Sequence, residues 1–339
     1  MILFYKVNKI IYKRYFIKQI FRHVHTQNSR ILYPLESKKL LKINGNDAPV
    51  FLQGLITNDM RHFEEGARSM YAMFLNNKGR VLYDTLIHKW VNDAFMIECD
   101  KNVHSMLQRH LKLYKLKRLV DIEDVSDQFR IWALISPIEK IDTQIEYKSK
   151  IDIYKDPRLS DLGYRVVSSK SINETQIVDI LGNDVKIDYD ENGYKYLRYS
   201  LGVSEGAKDL PPGMCFPLEV NCDYLHGVSF HKGCYIGQEL TARVYHTGVI
   251  RKRIMPLKFN NKINDSLEQD TVITLSGQTK SNIGKLKSYI WDYGLGLVRI
   301  KEALDVKVVR VGKHTAEIIK PVWWPLEAPK EKVVLTKTE

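Results

Sequence analysis

The sequence predicts an α+β fold with an antiparallel sheet and a small C-terminal β-barrel or sandwich. Three observations carry this. The N-terminal part reads helix, hairpin, strand, helix, strand, an order that lays helices on an antiparallel sheet. From Val249 onward, short β-rich runs alternate with turns at the spacing of a small barrel or sandwich. At 339 residues, 44% hydrophobic and 27% charged, the chain exceeds a usual single domain and can bury sizeable cores.

The elements follow in order. "LLKING" is a short apolar run ending in a turn at Asn44-Gly45-Asn46. Asp47 then stands as the N-cap of a helix through Leu52, with Pro49 in its first turn. "SMYAMFLNNKGRVLYDTLIHKW" is strand, tight Asn-Asn-Lys-Gly turn and strand, and "AFMIECD" is another strand. "NVHSMLQRHLKLYKLKRLV" spaces Leu and Val at helical intervals with cations between them, an amphipathic helix. "VSDQFRIWALIS" returns to strand. The segment 137–190 is polar and weakly periodic; "DPRLSDLGYRVV" within it reads as turn then strand, so a second α+β unit with loops is expected. "GYKYLRYSLGVSEG" is a helix stopping near Gly202, and the prolines of "DLPPGMCFPLEVN" exclude a long helix there. Six short strands are predicted in "RIMPLKF", "TVITLSG", "NIGKLKSYI", "YGLGLVRI", "KVVRVG" and "HTAEIIK". A boundary near Gly248 divides an α+β region, 31–248, from a barrel domain, 249–339.

Charge is unevenly placed. No Asp or Glu precedes Glu36, while Lys6, Lys9, Lys13, Arg14, Lys18, Arg22 and Arg30 do; removing those seven cations from a net +12 leaves +5. The remainder is only mildly basic, so total charge does not argue for stable nucleic-acid binding. Residues 1–30 mix cations with bulky apolar side chains throughout, the pattern of a mitochondrial transit peptide rather than a secretory signal. An exposed basic helix is the other reading of that segment. No apolar run approaches the roughly 20 residues that span a bilayer.

Four cysteines are too few for a disulfide scaffold in a chain this long, and no Cys-x-x-Cys pair exists. Cys99, Cys215 and Cys222 read as structural. Cys234 differs. In "HKGCYIGQELTARVYHTG" it lies between Lys232-Gly233 and the Gly237-Gln238-Glu239 start of a helix. A nearby cation and a helix N-terminus both favour a thiolate, and the glycines leave room for close approach. Cys234 is therefore the candidate reactive thiol; a small apolar side chain under a turn is the alternative. No His-Glu-x-x-His pattern supports a hydrolytic metal site. Asp84, in the second hairpin strand, and Glu205, after the "YLRYSLGVS" helix, are candidate binding carboxylates only if they share a pocket.

"KGCYIGQELTARVYHTGVIRKR" resembles the signature of the aminomethyltransferase-like folate-binding family, and most closely its mitochondrial iron–sulfur cluster assembly branch. "FLQGLITNDM", "NNKGRVLYDTLI", "LQRHLKLYKLKRLV", "DPRLSDLGYRV" and "YSLGVSEG" fit in the family's order, from about residue 35 to 305. The resemblance implies a cloverleaf of ferredoxin-like α+β units around a central channel, with the barrel at the C-terminus. It implies a mitochondrial matrix protein acting late in [4Fe–4S] cluster maturation with A-type carriers. Its recipients would be aconitase-like and radical-SAM enzymes. It places the signature cysteine on Cys234 and the adjacent lysine on Lys232, with a transient cluster shared with a partner. It places the folate contacts near Asp84 and Glu205, and hence tetrahydrofolate as a cofactor. Family aminomethyltransferases carry two neighbouring aspartates in the hairpin; here the pair is Tyr83-Asp84. That departure argues against the alternative function, a tetrahydrofolate-dependent aminomethyl or one-carbon transferase. An RNA-binding module built on the basic helix 107–118 is a weaker reading, since a solvated face explains those charges.

Overall fold

The computed structural model describes residues 30–136, 150–275 and 281–325; the leader, 1–29, lies outside the described residues. The elements run β1 (Arg30–Pro34), β2 (Lys38–Asn44), α1 (Ala48–Gln53), β3 (Ser69–Leu75), β4 (Val81–Lys89), β5 (Phe95–Asp100), α2 (His104–Lys115), β6 (Asp121–Asp124) and β7 (Phe129–Ile135). They continue with β8 (Ile151–Lys155), β9 (Tyr164–Ser169), α3 (Glu174–Leu181), β10 (Val185–Ile187), α4 (Asn192–Leu201), α5 (Gly206–Asp209) and α6 (Gln238–Thr247). The C-terminal part holds β11 (Lys252–Phe259), β12 (Val272–Leu275), β13 (Asn282–Ile290), β14 (Tyr293–Arg299), α7 (Ile300–Asp305), β15 (Val308–Val311) and β16 (His314–Ile318).

Three units result. The first is an antiparallel sheet in the order β3-β4-β5-β2-β6. The second, β10-β1-β7-β9-β8, is antiparallel except where β1 meets β10. The third is a closed barrel, β11-β14-β13-β12-β15-β16. The fold is thus the predicted mixed α+β architecture; all six predicted C-terminal strands form, and they close into the barrel that the resemblance implies.

Period-two alternation decides what faces what. On β3, Met70, Ala72 and Phe74 join the core under α1 and α2, while Tyr71, Met73 and Leu75 join a core shared with the second sheet and the barrel. On the second sheet, Ile131, Ala133 and Val167 face that shared core; Trp132, Leu134 and Val166 face α3. The same arithmetic carries polar residues inward. Lys38, Tyr71, Asp84 and Glu98 lie in phase with inward-facing neighbours on the first sheet, and Arg165 does so on the second. All are buried.

Local details differ from the sequence reading in three places. Asp47 precedes α1, but its carboxylate accepts the Leu119 N–H (2.8 Å) and caps no N–H of the helix. The predicted helix over 102–120 stops at Lys115, because Leu116 takes a positive φ of 49°. The edge strand β6 has the sequence Asp-Ile-Glu-Asp and shows no apolar alternation to predict it.

Candidate functional site

Cys234 is exposed and carries no disulfide, whereas Cys99, Cys215 and Cys222 are buried. Burial pushes the thiols of all three buried cysteines up, to about 11 for Cys215, which keeps them protonated. The loop that presents Cys234 is fastened along its length to the segment after α1. Ser229 N–H donates to the Thr57 carbonyl (3.0 Å), Ile236 N–H to the Gly54 carbonyl (3.2 Å), and the Thr57 hydroxyl to the Gly227 carbonyl (2.6 Å). Asn58 Nδ2 donates to the carbonyls of His226 and Tyr71, both at 2.8 Å.

Lys232 is the bolt of this arrangement. Its Nζ donates to the carbonyls of Gln53 (2.7 Å), Ile56 (2.7 Å) and Asn58 (2.6 Å). An ammonium has three N–H groups; all three are engaged, and none remains for the neighbouring thiol. Burial pushes its pKa down to about 7, against which the Asp59 carboxylate holds it up. The sequence reading aimed this cation at Cys234. The structure aims it at the backbone across from the loop.

Beyond the thiol the chain turns into α6. Gly237 has φ +79°, and a Cβ there would lie 2.3 Å from the Asn76 carbonyl oxygen of the β3–β4 turn. Only glycine combines that φ with that approach. The Tyr235 N–H is capped by Gln238 Oε1 (3.1 Å), and Phe230 stacks on Tyr245 of α6 at 3.5 Å between centroids. At Gly233 an added Cβ meets nothing within 4 Å, so the side of the loop next to Cys234 is open. The thiol therefore sits on a rigid loop facing solvent.

A second constellation fills the inner face between the two sheets. Glu205 accepts from Arg158 (2.6 Å) and Arg165 (3.1 Å) through Oε2 and pairs with Lys38 (2.8 Å) through Oε1. Asp156 pairs with Arg158 (2.8 Å), and Glu98 with Arg165 (3.1 Å). Asp209 accepts from Arg198 (3.1 Å) and the Glu205 N–H (3.0 Å), and binds the Tyr199 hydroxyl, which also reaches Ser288 of the barrel. Burial opposes ionisation of Glu205, but Lys38 and the three guanidinium groups together hold its carboxyl well below the usual range. Asp84 lies in the same cluster. Both its oxygens take the Gly206 N–H at 3.1 Å, and burial pushes its pKa up. The Tyr71 hydroxyl, buried beside Arg158, has no hydrogen-bond partner among the described residues.

Residues 12–138 match the GCVT N-terminal domain, and residues 251–326 the CAF17 C-terminal beta-barrel domain. The mitochondrial iron-sulfur cluster assembly factor IBA57 of Mus musculus is 34% identical over 319 residues, covering 87% of this chain and 86% of that protein. The chain belongs to the IBA57 family. The Homo sapiens protein of the same name is 35% identical over 314 residues, 86% and 85% of the two chains. The crystal structure of the glycine cleavage system aminomethyltransferase T from Bartonella henselae superposes with a TM-score of 0.68 at 15% identity, over 91% of this chain and 89% of that one, a likeness of fold.

Within this IBA57-family fold, the four candidate residues fall into two groups. Cys234 and Lys232 share the surface loop; Asp84 and Glu205 share the inner cluster, joined through the Glu205-Gly206 backbone. Among the described residues no group of three or more His, Cys, Asp or Glu is placed to hold a metal ion. Sequence reasoning missed Lys38, Arg158, Arg165 and Tyr71. The signal for two of them was present in "DPRLSDLGYR", whose alternating strand carries Arg165 inward and whose turn carries Asp156 and Arg158.

Proposed function

We propose that this protein is a mitochondrial iron–sulfur cluster assembly factor, acting in the matrix late in [4Fe–4S] maturation with an A-type carrier. Cys234 supplies one thiolate to a cluster whose other ligands come from the carrier. The observation that carries this reading is the single exposed thiol on a braced loop. Soft thiolates suit iron, and one thiolate cannot complete a cluster, so the complex is a shared one. Recipients are [4Fe–4S] enzymes of the aconitase-like and radical-SAM kinds. Family membership supports the assembly role, since the relatives carry that name. Anaerobic reconstitution with an A-type carrier tests it: the native chain forms a coloured heterocomplex, and Cys234→Ser forms none while keeping its fold. A Cys234→Ser protein that assembles the same chromophore removes the mechanism.

We also propose that tetrahydrofolate, which the fold family implies, is met by Asp84 and Tyr71. The orphan Tyr71 hydroxyl supports this, beside the Asp84 carboxylate, which accepts the Gly206 backbone N–H. When bound, the folate would supply one-carbon chemistry; Asp84 would accept from its amino-pyrimidine edge and Tyr71 would donate to it. Glu205 does not fit as a ligand contact, because both its oxygens already face buried cations. Calorimetric titration with tetrahydrofolate, on native protein and on Tyr71→Phe, tests the assignment. No heat with the native chain disproves it.

A further inference from the structure

The outer face of α2 takes no part in the function proposed above. Between Lys101 and Val120 the chain has six Lys or Arg and no Asp or Glu. The helix buries His104, Leu107 and Leu111. Beyond them the helix end and the turn after it leave large apolar side chains in water: Leu113 is 70% exposed, Leu116 84% and Leu119 69%, and Tyr114 and Met106 are exposed as well. Lys112, Lys117 and Arg118 are exposed between these, and Lys115 is half-buried.

This tip is built. Leu119 donates its N–H to Asp47 Oδ2 (2.8 Å), and Arg118 N–H donates to the Lys115 carbonyl (3.0 Å). Gly45, at φ +118°, lets the Leu119 carbonyl pass where a Cβ would meet it at 2.2 Å. Leu116 itself holds φ 49° and ψ −121°, a conformation in which a branched-chain residue is strained and glycine would be relaxed. The backbone is thus pinned while the leucine side chains project as a ridge.

Composition separates the possible occupants. Protein interfaces draw their anchors from Trp, Tyr and Arg, and are depleted in Lys, with Leu under-represented among hot spots. A polyanion such as RNA pairs with the cations but has no use for three projecting leucines. Leucines interleaved with lysines match a segment lying on lipid, with aliphatic groups at the acyl boundary and cations among the headgroup phosphates. We propose that the Leu113–Leu119 ridge docks the protein peripherally on an anionic phospholipid surface. Leu113, Leu116 and Leu119 enter the boundary region, and Lys112, Lys115, Lys117 and Arg118 pair with phosphates.

The test places an environment-sensitive nitrobenzoxadiazole label on the full chain at Leu116→Cys, in a Cys234→Ser background, where the remaining cysteines are buried. Vesicles of phosphatidylcholine with about 30% phosphatidylserine should blue-shift and brighten the label, and doxyl lipids should then quench it. About 0.5 M salt should reverse the effect. Adding Leu113→Ser and Leu119→Ser should weaken partitioning about tenfold or more at unchanged charge. Because the label reports the ridge itself, binding through any other segment leaves it unshifted. An unshifted label on anionic vesicles overturns the proposal. So does partitioning that the serine substitutions leave intact, or an equal spectral change on adding poly(U), either of which assigns the site to charge alone.

Discussion

Replacing Glu205 by Gln keeps the side chain's shape and removes its charge. Four cations lose their common counter-ion at once: Lys38 at 2.8 Å, Arg158 at 2.6 Å, Arg165 at 3.1 Å and Arg198 at 3.8 Å. All are buried, so water cannot replace the carboxylate. Removing one partner of a buried ion pair destabilises by about 3–5 kcal/mol. An unfolding entropy of roughly 2.1 cal/mol/K per residue gives a chain of this size about 0.7 kcal/mol/K, so the melting temperature should fall by about 4–7 °C. The pH dependence has a definite sign. The folded-state pKa of Glu205 is lowered, so its contribution is fully present above the unfolded carboxylate value of about 4.3 and is lost as pH falls toward the folded value. Scanning calorimetry of both proteins at neutral pH and at successively lower pH measures this. A shift under about 1 °C at neutral pH, or a gap that widens on acidification, refutes the reasoning.

Cys234→Ser should leave stability within about 0.5 kcal/mol, because the thiol is exposed, and the chemical denaturation midpoint checks it. Lys232→Met strips three carbonyls of their donor and should lower stability by about 2–4 kcal/mol, with faster hydrogen exchange at Ser229 and Ile236 as the local readout. Gly237→Ala forces a Cβ to 2.3 Å from the Asn76 oxygen at φ +79°, and should cost about 2 kcal/mol or more by the same denaturation measurement. Tyr71→Phe removes an unpaired buried hydroxyl, so stability should hold or rise by up to about 1 kcal/mol while the heat of tetrahydrofolate binding falls.

Much of the fold was legible because its signals are local. The β3–β4 hairpin is two apolar-rich runs around the Asn76–Gly79 turn, α4 ends on the left-handed Gly202, and each barrel strand is a short run between turns. The second sheet was not legible as one unit, because β1 pairs with β7 about a hundred positions away and with β10 155 positions away. The site divides in the same way. Cys234 was visible from its own neighbours. Lys232 was misdirected by them, since its partners lie 174–179 positions earlier in the chain. Glu205 reads from the sequence as a candidate binding carboxylate, because Lys38 comes from β2 while Arg158 and Arg165 come from the distant 156–165 stretch, and only the pleat of two sheets brings them together.

The hydroxyl of Tyr199 touches Asp209 and also Ser288 of the barrel, and Trp323 donates its indole N–H to the Leu201 carbonyl at the end of the same helix (2.7 Å). Helix α4 therefore works as a splint between the sheets and the barrel. A fragment ending near Gly248 would strip one side of that splint, wetting Tyr199 and loosening the grip on Asp209 and, through it, on Glu205. The C-terminal piece is thus no detachable appendage: trimming it from an expression plasmid should yield a sticky, poorly ordered polypeptide.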